Sequence, residues 1–206
     1  MPVASHEVYP LFVEPYFRAS IAGTITPQQI EFIKNLKMVH NPENLISENL
    51  YIFEEPELKS IKDAVQEVLD IYAREVLCIS QRIYVTQSWS LICMPKAGMH
   101  GHSHSNSILS GSLYYCDLPD PPASMVFTRH TTYQQIELPP EKDKRNIYNS
   151  PINRITPRPN DLLLFSSRLT HLVEPNMSDQ PRHSIAFNTF VKGQLGDYRA
   201  VTELKL

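Results

Sequence analysis

The chain has 206 residues, 42% of them hydrophobic and 20% charged, with 19 basic against 22 acidic side chains and a net charge of −3. That length suits one domain with its own core, and that balance excludes overall disorder and leaves no basic surplus to attract nucleic acid. Seventeen prolines against six glycines favour a β-rich fold with stiff turns over a helical bundle.

Residues 8–22 are aromatic and β-branched with two prolines, which predicts an extended edge strand or two short ones. Thr26-Pro27-Gln28-Gln29 is a helix start: a hydroxyl cap, proline at the first helical position and glutamine three after the cap. This helix is expected to run to about Met38 and to end near Asn41-Pro42. A second helix starts at Pro56 beside Glu54, Glu55 and Glu57, which suit the positive end of its dipole. Leu58, Ile61, Val65, Val68, Leu69, Tyr72 and Val76 recur at helical spacing to about Leu77, one apolar stripe to lay against a sheet.

From Arg82 the pattern becomes strand-like, over 83–93, 108–115, 124–128, 161–165, 171–173 and 184–191, with proline, Asp and Asn between the runs. Pro157-Arg-Pro-Asn-Asp161 makes a stiff turn. Residues 131–151 lack apolar periodicity and read as a long exposed loop, the Glu141–Arg145 charge run being a solvated surface. Two helices followed by many short strands predict a mainly β fold. Its form is a jelly roll with both helices packed on one sheet, helical support over about 26–78 and barrel core over about 82–192, in a single domain.

Cys78, Cys93 and Cys116 are odd in number and form no Cys-x-x-Cys pair, so they read as reduced thiols in a cytoplasmic protein. Met1–His6 shows no basic segment followed by an apolar core, so no signal peptide is expected, and no apolar run reaches transmembrane length.

The chemistry concentrates in His100-Gly-His102-Ser-His104-Ser-Asn106, answered by His171 and, eleven residues later, by Arg182-His-Ser184. Side chains at i and i+2 of a strand share a face, so a His-x-His pair can aim two imidazoles into one cavity and a later histidine can close a metal site. Both His100/His102 and His102/His104 satisfy the alternation. Arg182 and Ser184 have the same relation and suit the carboxylate of a co-substrate. His6, His40 and His130 read as ordinary surface or core histidines.

His102-Ser-His104-Ser-Asn106-Ser107, Ser110-Gly111 with Tyr114-Tyr115, the run Asp161–Phe165 with His171 and Pro175-Asn176, and Arg182-His-Ser184 together resemble a family of Fe(II)/2-oxoglutarate oxygenases. The similarity spans roughly residues 85 to 190; Ser166 stands where that family usually has proline. It implies a double-stranded β-helix (a cupin-like jelly roll), iron(II), 2-oxoglutarate and molecular oxygen, with His102, His104 and His171 as ligands. It also implies that Arg182 and Ser184 hold the far carboxylate of 2-oxoglutarate. Tyr114 and Asn188 are further candidates to contact the co-substrate, Asn188 by alternation from Arg182. Trp89 lines the pocket or packs in the core, Ser110-Gly111 permits close backbone approach, and His183 points away.

Most such sites contain a carboxylate where this chain has His104. Either three histidines hold the metal or Asp117 or Asp161 reaches in, and three histidines also suit zinc. The expected reaction is hydroxylation of a small-molecule or peptide substrate, with no nucleic-acid or membrane partner and with a homodimer admitted. The competing readings are a three-histidine cupin-type dioxygenase that needs no 2-oxo acid, and a jelly-roll binding module with a structural metal or none.

Overall fold

The computed structural model describes residues 5–129 and 138–206. His130 and the first part of the expected long loop lie outside them. Helix α1 spans Pro27–Lys34. Thr26 Oγ1 accepts the Gln29 N–H at 3.2 Å, and the Gln29 side chain accepts the Thr26 N–H at 3.0 Å, which completes a capping box. The Gln29 amide also donates to Glu57 O and Ser60 Oγ, each at 2.8 Å, tying α1 to helix α2 (Lys59–Glu75).

Helix α1 ends at Lys34 rather than near Met38. Met38–His40 forms strand β2 and pairs antiparallel with β3 (Leu45–Ser47). A strand partner four residues away, together with the β-branched Val39, outweighs the helical spacing of this segment. Two short 3₁₀ turns, Ile52–Glu54 and Pro56–Leu58, precede α2, whose buried Ile61, Val65, Val68, Leu69 and Tyr72 form the expected stripe, while Val76, also assigned to it from sequence, follows the last helical residue and is exposed.

The large antiparallel sheet runs β1 (Tyr16–Ser20), β9 (Asp161–Ser166), β6 (Leu109–Leu113), β11 (Arg182–Lys192), β4 (Arg82–Cys93), β3, β2. The small one runs β5 (Met99–His102), β10 (His171–Val173), β7 (Met125–Thr128), β8 (Ile152–Ile155). A two-stranded ribbon, β12 (Gln194–Leu195) with β13 (Leu204–Lys205), follows β11. This is the mainly β jelly roll that the pattern predicts. Sequence pattern missed β2, β3, β8 and the ribbon, because strands of two to four residues are too short to show alternation. Of residues 8–22 only Tyr16–Ser20 pairs, as the edge strand beside β9, while Val8, Tyr9, Leu11, Phe12 and Val13 are exposed.

Alternation along β11 separates the two faces of the large sheet. Ile185 and Phe187 join Ile83, Leu113 and the α2 stripe in the main core. Arg182, Ser184, Ala186 and Asn188 face the cavity between the sheets, as do Gln87, Trp89, Leu91 and Cys93 on β4. Gly111 on β6 lies opposite Phe187, and a Cβ there would sit 2.1 Å from Phe187 Cζ. The close approach expected at Ser110-Gly111 is therefore to this ring. No helix among the described residues is long and apolar enough to cross a membrane.

Candidate metal centre and co-substrate pocket

His102 ends β5 and His171 begins β10, and the two are register partners with ring centroids 4.5 Å apart. His104 reaches them differently from the expected strand alternation, because β5 has already ended. Its backbone N–H donates to Ser167 O at 2.9 Å, which turns the chain back toward the cavity. Its ring stands 5.1 Å from His102 and 5.2 Å from His171. One ligand nitrogen from each ring lies within 4.8 Å of the others. His100 is turned to Glu43 instead, its N–H donating to Oε2 at 2.6 Å and its Nδ1 lying 3.2 Å from Oε1.

The three rings share one hydrogen-bonding logic. Nδ1 faces His100 O at 2.8 Å in His102, Asn188 Oδ1 at 2.6 Å in His104 and Leu169 O at 2.9 Å in His171. Each partner is an acceptor, so each Nδ1 carries the proton and each Nε2 keeps a lone pair for a metal. Nε2 of His104 is buried with no protein partner. Burial pushes His171 down to about 4 against the pull of its Leu169 bond, and it lowers His104 as well against its bond to Asn188. Protons therefore do not compete for these two nitrogens near neutral pH. Phe165 packs edge-on to His171 at 4.7 Å, and Trp89 stacks parallel to His104 at 6.3 Å.

The other end of the cavity is cationic. Arg182 is 2% exposed, and its Nε and Nη1 are buried without a protein partner. Its guanidinium lies over the Tyr114 ring, 5.6 Å from the centroid, and buried Ser184 follows on the same face. Tyr114 is fully buried with its hydroxyl unpartnered, packed on Ile155 and Leu163, so its contact is with Arg182. Burial is the main cause raising its phenol. Asn188 lines the cavity at the metal end, where its amide oxygen is engaged by His104.

Neither candidate carboxylate reaches the histidines. Asp161 accepts the Arg158 N–H at 2.8 Å and pairs with Arg18 at 3.4 Å, and Asp117 lines a separate pocket with Tyr115 and His183. His183 points away from the cavity, as expected, and its ring meets Tyr115. Sequence reading missed Cys93, register partner of Arg182; alternation from Trp89 through Leu91 places it on the cavity face. Burial raises its thiol, and nearby Arg182 offsets part of that. The cavity between the two ends measures about 420 Å³, the scale of small-molecule sites.

The jelly roll holds three converging histidines that could bind a metal ion at one end of this cavity and a buried arginine with unpartnered donors at the other. The family model described as "Putative 2OG-Fe(II) oxygenase" matches residues 87–188, the stretch that carries all of these residues. The chain belongs to that 2-oxoglutarate/Fe(II) oxygenase family, which uses Fe(II), 2-oxoglutarate and molecular oxygen.

Solved structures share the fold at low identity. HygX from Streptomyces hygroscopicus, solved with nickel, 2-oxoglutarate and hygromycin B bound, is 13% identical over 85% of this chain and 82% of its own, with a TM-score of 0.58. The epimerase SnoN from nogalamycin biosynthesis is 12% identical over 86% and 76%, with a TM-score of 0.62. A Pseudomonas putida prolyl-4-hydroxylase is 10% identical over 85% and 92%, with a TM-score of 0.54. No curated protein matches the chain.

The residues present fit the family's cofactors. Three converging imidazoles with free Nε2 lone pairs suit a divalent ion, and two orphaned guanidinium donors suit a carboxylate.

Proposed function

We propose that the protein couples oxidative decarboxylation of 2-oxoglutarate to hydroxylation of an aliphatic C–H bond. One oxygen atom of O₂ enters succinate and the other enters the substrate, with release of carbon dioxide. The observation that carries this reading is Arg182: a buried cation, unpaired at Nε and Nη1, in the same cavity as the histidine triad. A guanidinium in that state is costly unless a ligand supplies the counter-charge, and a planar carboxylate matches its two-donor fork. A dioxygenase that needs no 2-oxo acid gives this arginine nothing to do.

His102, His104 and His171 hold the metal, which when bound supplies the site for keto-acid chelation and oxygen activation. Arg182 and Ser184 orient the far carboxylate, so the keto acid presents its other end to the triad. Trp89, Leu91 and Ile46 line an apolar wall, and Gln87 and Ser105 line the metal end. A small molecule or one side chain of a peptide is the substrate class that this volume admits.

Anaerobic titration with Fe(II) followed by 2-oxoglutarate is expected to develop a weak visible charge-transfer band, and admission of oxygen to yield succinate. Arg182→Ala is expected to raise the 2-oxoglutarate requirement steeply, and His102→Ala to abolish metal loading. Oxygen uptake that is indifferent to 2-oxoglutarate would overturn the assignment.

A further inference from the structure

We propose that Asn188, held by the buried Ser110 hydroxyl, is the positioning residue that fixes the metal-binding tautomer of His104. That imidazole stands where most related sites have a carboxylate, which has no tautomer to control. The inference rests on the metal centre described above and adds residues that lie behind it.

Asn188 Oδ1 receives the His104 Nδ1–H at 2.6 Å and the Ser110 hydroxyl at 2.9 Å. Ser110 Oγ lies 2.8 Å from Ser167 Oγ, which lies 2.7 Å from Ser107 Oγ, and Ser107 Oγ receives the Thr189 N–H at 3.2 Å. Ser110 and Ser167 are buried, so these protons have no water to turn to.

Leu109 O accepts both the Ser107 hydroxyl at 2.9 Å and the Thr189 hydroxyl at 2.8 Å, one on each lone pair, and Ser107 Oγ accepts the Ser167 hydroxyl at 2.7 Å. With those two serine protons placed, it is the Ser110 hydroxyl that donates to Asn188 Oδ1. An amide oxygen so addressed must face the ring as an acceptor. With the amide reversed, Nδ1 of His104 would accept, the proton would move to Nε2, and the metal position would close. A register shift in the β4–β11 pairing falls between Asn188 and Thr189, the two residues that aim at His104 and Ser107.

The test measures Co(II) affinity by visible absorption and the His104 tautomer by ¹⁵N NMR of the metal-free protein. Asn188→Leu is expected to weaken Co(II) binding by roughly 10–100-fold and to lose the Nδ1–H preference. Asn188→Asp, whose carboxylate also accepts from Nδ1–H, is expected to keep both, and Ser110→Ala to fall between. Should Asn188→Leu fail to fold, Asn188→Asp and Ser110→Ala carry the comparison. Wild-type affinity and tautomer in a folded Asn188→Leu, or equal losses in the Leu and Asp variants, would overturn the proposal alone. A wild-type protein that binds no Co(II) would overturn it together with the metal centre.

Discussion

Replacing Arg182 with Met is expected to stabilise the ligand-free protein while abolishing its response to 2-oxoglutarate. The guanidinium is 2% exposed with Nε and Nη1 unpaired, and each unmet buried donor costs about 1–3 kcal/mol. Against that gain stands the loss of the contact with the Tyr114 ring, about 0.5–2 kcal/mol. Methionine fills similar volume without charge, so the net is about 2 kcal/mol in favour of the variant, or about 4–8 °C in Tm for a chain of this size. The ligand reverses the order. With Fe(II) and anaerobic 2-oxoglutarate at about 100 times its Kd, the wild type gains about 2.7 kcal/mol. Removing one partner of a buried ion pair costs about 2–5 kcal/mol, so the variant needs roughly 30- to 5,000-fold more 2-oxoglutarate. Thermal unfolding of both proteins with and without co-substrate measures both effects. A ligand-free variant less stable than wild type that still shifts with 2-oxoglutarate would show that the guanidinium serves the fold rather than the co-substrate.

Acid should destabilise the metal-free protein through His171. Its folded pKa of about 4 lies below the ordinary 6.5, so the unfolded chain binds the extra proton first. Stability therefore falls as pH drops from about 6.5 to about 4, by up to about 3 kcal/mol, and His171→Gln should flatten that part of a urea-denaturation profile. Gly111→Ala should lower Tm by about 2–12 °C, the cost of overpacking against Phe187, with partial recovery in the Gly111→Ala/Phe187→Leu double variant. Unchanged stability in the single variant would mean that the Phe187 ring moves freely. Added Co(II) should raise Tm in wild type and not in His102→Ala, with EDTA reversing the gain; equal shifts would place the metal elsewhere.

The barrel was legible because its long strands carry clear alternation. On β11, Arg182, Ser184, Ala186 and Asn188 face the cavity while Ile185 and Phe187 pack against the helices, as period two demands. The His-x-His motif was legible as chemistry but misleading as geometry. His102 belongs to a strand, whereas His104 is set by a backbone hydrogen bond to Ser167, sixty-three residues away in sequence. No local pattern records such a contact. The early end of α1 escaped for the same reason, since β2 exists only because β3 is there to pair with it. Asn188 was legible as a cavity residue but not as the partner of His104, which depends on where that off-strand ring comes to rest.

Three features that break local rules border the cavity between the sheets. A glycine sits inside β6, an arginine is buried with unpaired donors, and a buried imidazole nitrogen has no acceptor or donor to meet. The first is repaid within the fold, because Phe187 fills the space. The other two are not, and buried polar groups left unpaired are what folding selects against unless a ligand completes them. The two orphans need opposite things: a lone pair seeks a cation, and a guanidinium seeks an anion. The three ligands are neutral, so a divalent ion would keep its whole charge, and at about 4 Å each unit of charge is worth about 4 kcal/mol to a facing anion at an effective dielectric near 20. A carboxylate in place of His104 would give up part of that attraction. Under the proposed function the neutral triad and the buried arginine would act in the same direction, each drawing one end of a dicarboxylate into the same cavity.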